Sequence, residues 1–181
     1  MSRAAAILPA TPRALALCLA LAVVMPLAWP GEDPALSTML AGIGFSEAQE
    51  AVEDAIVEEG LVLGPVSDFA AMLHNTAAAF GRPQAVYREA RIYSFCSGKV
   101  AWQLAAERPE NIVHCPLTLA AFTLVDDSDQ TVHLAWRRIP GDSPGAGAAR
   151  ALLQRIADRV AAAGQRRPRS AQPLRKDAII Q

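Results

Sequence analysis

Two cysteines, Cys96 and Cys115, stand near the ends of the stretch SFCSGKVAWQLAAERPENIVHCP with eighteen residues between them. Cys96 closes an alternating run and precedes Ser97, a residue type that caps helices. A thiolate there would sit at the positive end of a helix dipole, and Lys99 adds a cation three residues on. Cys96 and Lys99 are therefore the catalytic candidates.

Four chemistries fit the cysteine pair. In an exported chain, two cysteines left after removal of a leader invite one bridge, Cys96 to Cys115, worth about 3 kcal/mol by loop closure. If the strands holding them ran parallel, a strand about 20 Å long would separate thiols whose Cα atoms must lie within about 7 Å. The bridge thus requires antiparallel strands or a connector that climbs back along the sheet. The second chemistry is thiol–disulfide exchange, with Cys96 attacking and Cys115 resolving, although no C-x-x-C is present. The third is a soft-metal site from Cys96, His114 and Cys115, with His133 or Met72 in reserve; it lacks paired ligand spacing. The fourth is two unbonded, half-buried thiols. No cofactor is expected.

Arg91 and Arg137 each occupy the alternate face of a predicted strand. If those faces coincide, with Lys99 at the rim, they form a small anion site; otherwise they answer an acidic body. CSGK lacks the first glycine and final Ser/Thr of a phosphate loop, and no G-x-S-x-G appears. DDSDQ lacks the spacing of a calcium loop and reads as a turn.

The elements that position these residues follow from periodicity. ALSTML is a candidate first strand. Ser46 and Gln49 resemble a capping box before a helix bearing Ala48, Val52, Ala55 and Ile56, stopped at Gly60. LVLGPV reads as a short strand. Ser67 or Asp68 caps a second helix whose Phe69, Met72, Leu73, Thr76 and Phe80 share a stripe expected in the core, with Gly81 and Pro83 as its stop. Arg91–Cys96 is a strand, and Gly98 to about Glu107 is a helix ended by Pro109. Leu117–Val125 is apolar on both faces and reads as a central strand, joined by a turn to the alternating strand TVHLAWRR. GDSPGAG reads as a loop, and Ala148–Ala163 as a last helix. The expected fold is a two-layer α+β sandwich, its mixed or mostly antiparallel sheet of four to five strands packed by helices.

The 181 residues suit a single domain with a proper core. Ala14–Ala28 is an uncharged fifteen-residue run behind Arg3 and Arg13, shorter than the ~20 residues of a spanning helix. Residues 1–28 therefore read as a signal peptide, with an uncleaved anchor as the alternative because Pro26 suits the cleavage rule poorly. Cys18 lies inside that run, after Leu17 rather than a small residue, and reads as a removable hydrophobe. Residues 29–164 form the domain and carry ten basic and seventeen acidic side chains, a net −7. Residues 165–181 carry a net +4 and read as a basic, disordered tail. An acidic body excludes a nucleic-acid-binding surface. The expected location is periplasmic or extracellular, with membrane contact only if the first segment is retained.

The run from Glu59 to Ala163 resembles the domain of unknown function 302 family of small bacterial proteins. The resemblance rests on EEGLVL, SDFAAML, the FG before Tyr87 and Ala90, IYSFCSGKVA, ERPENI, CP opening an apolar strand, and WRRIP. SFCS…CP points to one subgroup, while His114 replaces the apolar residue expected before Cys115. The resemblance implies a compact α+β domain that self-associates; it supplies no activity and no catalytic residues. The expected function is a small exported binding or interaction domain, a homo-oligomer with an unidentified small-molecule ligand, in which a sheet face or strand edge makes the contact. The alternative is a thiol- or metal-dependent activity centred on Cys96 and Cys115. A cavity lined by Cys96 and Arg137 would favour that alternative, and an apolar, filled environment around Cys96 would remove it.

Overall fold

The structure, a computed structural model, describes residues 34–82 and 85–166. The expected signal peptide, Cys18, Pro83 and most of the basic tail lie outside the described residues. Five strands form one wholly antiparallel sheet: β1 (Ala35–Ala41), β2 (Val62–Asp68), β3 (Tyr87–Cys96), β4 (Leu117–Leu124) and β5 (Thr131–Arg137). Their spatial order is β1-β5-β4-β3-β2, so the strand with the longest apolar run, β4, takes the centre. With four helices, α1 (Phe45–Glu58), α2 (Phe69–Thr76), α3 (Gly98–Glu107) and α4 (Pro144–Arg166), the fold is the expected α+β sandwich.

One sheet face is sealed. Alternate residues Leu117, Leu119 and Ala121 of β4, Val132, Leu134 and Trp136 of β5, and Tyr93 and Phe95 of β3 point into it and are buried. Val52, Ala55 and Ile56 of α1, Val100 and Leu104 of α3, and Leu152, Leu153, Ile156 and Val160 of α4 close over them. The caps are local. Ser97 Oγ accepts the Val100 N–H (3.4 Å), and Asp68 Oδ1 accepts that of Ala71 (2.9 Å). α1 begins one residue before Ser46: the Gly44 N–H donates to Glu47 Oε2 (3.3 Å), so Glu47 does the work expected of Gln49. α4 begins earlier than its apolar period, because Ser143 Oγ accepts from the Ala146 N–H and Pro144 suits a first helical turn. It ends at Arg166, two residues into the segment read as tail.

The opposite face is only partly covered. Phe69 at the start of α2 meets Tyr87 edge-on (centroids 6.0 Å apart), Tyr87 meets Phe122 edge-on (5.3 Å), and Phe122 stacks on His133 (5.0 Å, 13°). The α2 stripe is not core: no α2 residue is buried, and Met72, Leu73 and Phe80 are exposed. Helical spacing shows which side chains share a face, and here too little is packed against that face to bury it. β2 runs through Gly64 and Pro65 instead of stopping there, because a bulge absorbs them between Leu63 and Val66. A Cβ on Gly64 would stand 3.0 Å from the Ser94 carbonyl oxygen, which explains the glycine.

Candidate functional site

β3 pairs antiparallel with β4, and Phe95 stands opposite Leu117. The end of one strand therefore lies beside the start of the next, which is the arrangement a Cys96–Cys115 contact requires. Both thiols are free; Cys96 is exposed and Cys115 half-buried. Burial pushes the Cys115 thiol up from its ordinary value, and the adjacent Cys96, which hydrogen-bonds it, pushes further. The pair is therefore asymmetric: an exposed thiol in contact with one held protonated.

Cys96 opens on a cavity of about 560 Å³ formed where α1 turns into β2, β3 turns into α3, and α4 passes. Lys99 and the first residues of α3 line it, as do Glu59, Val62 and Arg155. Both catalytic candidates, Cys96 and Lys99, thus share one space. Sequence reasoning missed Glu59 and Arg155. Arg155 Nη2 and Arg159 Nε each approach Glu59 at 3.0 Å. The hydrogen bond from Arg155 chiefly holds Glu59 below the usual carboxylate range against the upward push of burial, and Arg159 assists. The available signal was Arg155 and Arg159 four residues apart on one helix face.

Arg91 and Arg137 do not form an anion site. Arg91 aligns with Ala121, and Ala121 with Leu134, which puts it on the helix side of the sheet. Arg137 alternates with Trp136 and therefore lies on the other side. Arg91 is also engaged by Asp68, its cross-strand neighbour, at 3.2 Å. The soft-metal set fails as well. Among the described residues, no three His, Cys, Asp or Glu side chains are placed to hold a metal ion. His114 ends a short 3₁₀ turn, Pro109–His114. Its Nδ1 is buried without a hydrogen-bond partner.

A second polar group sits at the β4–β5 turn. Asp127 Oδ2 accepts the Leu124 N–H (2.8 Å) and meets His133 Nε2 (2.9 Å). The Leu124 bond is the main reason the Asp127 carboxyl lies below its usual range; burial opposes it, and His133 and Arg88 add to it. Arg88 donates to the carbonyls of Val125 (3.1 Å) and Asp127 (2.7 Å) and pairs with Asp129. This group closes a turn, as read from DDSDQ.

Fold and site define a small α+β domain with a contacting thiol pair beside an open cavity. No family model and no curated protein matches the chain. It is similar to the crystal structure of an uncharacterized conserved DUF302 protein from Bacillus stearothermophilus, at 17% identity and a TM-score of 0.47, over 73% of this chain and 96% of that one. The SFCS…CP subgroup is not distinguished, and no activity follows from the likeness.

Proposed function

We propose that the protein is an exported binding domain whose ligand site is the cavity at the β3–α3 corner. The observation supporting this is that Cys96, Lys99 and the start of α3 line one open cavity of about 560 Å³, within the usual ligand range of about 300–1,000 Å³. The Lys99 ammonium and the α3 N-terminus suit a small molecule bearing a carboxylate or phosphate group. A thermal-shift panel of mono- and dicarboxylates and phosphate esters tests this. At least one compound should raise the melting temperature of the wild type and lose its effect in Lys99→Ala but not in Arg137→Ala. If no compound shifts the wild type, the reading is wrong.

The thiol contact favours a second reading, a dithiol that exchanges with an external disulfide. The Cys96 thiolate attacks one sulfur of that disulfide and expels a thiolate. Cys115 then gives up its proton and attacks the Cys96 sulfur, expelling the second thiol. The external disulfide gains two electrons and the pair becomes a disulfide. Thiols counted by mass shift on the non-reduced protein test it. Two thiols recovered only after reduction mean a stable bridge; one fast-labelling thiol at neutral pH supports exchange chemistry at Cys96.

A further inference from the structure

Cavity and thiol pair meet at Cys96. Its thiol is exposed and the residue stands in the cavity wall, while Cys115 is half-buried behind it and hydrogen-bonded to it. A molecule in the cavity therefore meets Cys96 first and reaches Cys115 only through it. Exchange needs that order, in which one sulfur attacks and the second resolves.

Charge in the wall selects what can sit there. Besides the thiol, the ionisable groups lining it are Lys99, Arg155 and Glu59. Glu59 is occupied: Arg155 and Arg159 each approach it at 3.0 Å, and its side chain is only 10% exposed. Lys99 is exposed, and the Arg155 side chain stays 53% exposed while it holds Glu59. The wall thus presents two accessible cations, and Leu61, Val62 and Leu152 give it apolar surface.

We propose that the cavity takes a small disulfide with an anionic group on each half, one against Lys99 and the other against Arg155, and that Cys96 and Cys115 reduce it. This substrate class rests on both readings above. The Cys96 thiolate attacks the nearer sulfur, the S–S bond breaks, and the far half leaves as a thiolate. Cys115 then loses its proton and attacks the Cys96 sulfur; the mixed disulfide breaks and the near half leaves. Two electrons pass to the substrate, which departs as two thiols after protonation, and the protein keeps one new S–S bond. The pair also times the second step. Burial chiefly holds Cys115 protonated, and the charge and hydrogen bond of Cys96 add to it. Capping Cys96 as a mixed disulfide removes that charge, so Cys115 ionises more readily once the first step is done.

The test uses the full chain with Cys18→Ser and three symmetrical disulfides: dithiodipropionate (two carboxylates), bis(hydroxyethyl) disulfide (neutral) and cystamine (two ammonium groups). Adding Cys115→Ser stops the reaction at the mixed disulfide, whose rate of formation is read by intact mass and compared with that of the same variant unfolded in urea. The ratio of the dithiodipropionate rate to the cystamine rate should be at least about tenfold higher in the folded chain, with the neutral disulfide between them. Lys99→Glu should return that ratio to the unfolded value or below, and circular dichroism checks that it is folded. With Cys115 present, dithiodipropionate should yield a bridged protein and two released thiols per chain. Octanedioate, the carbon analogue, cannot exchange; it should raise the melting temperature and slow the reaction with dithiodipropionate. Equal ratios in the folded and unfolded chain overturn the proposal and leave the exchange reading standing, and with it the cavity reading if octanedioate still stabilises. A ratio that survives Lys99→Glu overturns it too. If no disulfide reacts at Cys96, the proposal and the exchange reading fall together; if octanedioate has no effect, the proposal falls with the cavity reading.

Discussion

At the β4–β5 hairpin, Asp127, His133 and Arg88 are held by backbone groups and by one another; at the β3–α3 corner, Cys96 and Lys99 face an open cavity. Both places contain residue types that serve catalysis. At the hairpin the Asp127 carboxylate already accepts from Leu124 and meets His133, and Arg88 donates to two carbonyls and a carboxylate. Those groups fasten a turn. At the corner the Cys96 thiol is exposed, and its neighbour Cys115 is held protonated by burial. A polar side chain whose hydrogen-bonding capacity is filled by its own fold is structural, whereas one left beside a cavity can meet a ligand.

Four experiments test that contrast. The largest effect is expected at the corner under oxidising conditions. If the bridge forms, Cys115→Ser should lose about 3 kcal/mol in urea unfolding, and reductant should lower the wild type by the same amount. Equal stability of the two proteins without reductant would show an unbridged pair. Next, Arg88→Ala should cost about 1–2 kcal/mol, because it removes three hydrogen bonds that tie β3 to the turn, and should leave Cys96 alkylation unchanged. A changed alkylation rate would show that the two ends are not independent.

The third effect depends on pH. Asp127 and Glu59 both sit below the ordinary carboxylate range in the folded chain. Their stabilisation is complete above the unfolded carboxylate value and is lost as pH falls through the folded ones. Melting temperature should therefore fall on acidification through the carboxylate range, and Asp127→Asn should flatten that fall. An unaltered acid limb in the variant would remove Asp127 from the account. The smallest effect belongs to Lys99→Ala. Stability should stay within about 0.5 kcal/mol, while alkylation of Cys96 at neutral pH slows about twofold, the scale of an exposed charge interaction. A rate identical to wild type would leave Lys99 no influence on the thiol.

Much of the fold was legible. The Ser97 and Asp68 caps, the hairpin between β4 and β5, the central place of β4 and the apolar face of α4 all follow from short-range rules. The α2 stripe misled because a helical period is the same whether a second layer covers it or water does. Arg91 and Arg137 stayed open for a related reason: alternation shows that a strand has two faces but not which of them meets the helices. Arg155 and Arg159 stand four residues apart on one helix face, but nothing local joins them to Glu59, almost a hundred residues earlier, so their meeting at the cavity wall was not legible.

The sequence alone determined which segments form strands and helices, though not every boundary of α1, α4 and β2, since caps, turns and periodicity act within about four residues along the chain. It also determined the uncharged character of β1 and the breaks in β2. Only the tertiary structure decided that Cys96 meets Cys115, that Arg91 and Arg137 lie on opposite sides of the sheet, and that Lys99 shares a cavity with Arg155. Those facts depend on strand direction and register, which are set by pairings between residues far apart in the chain and by burial of one sheet face under the helices.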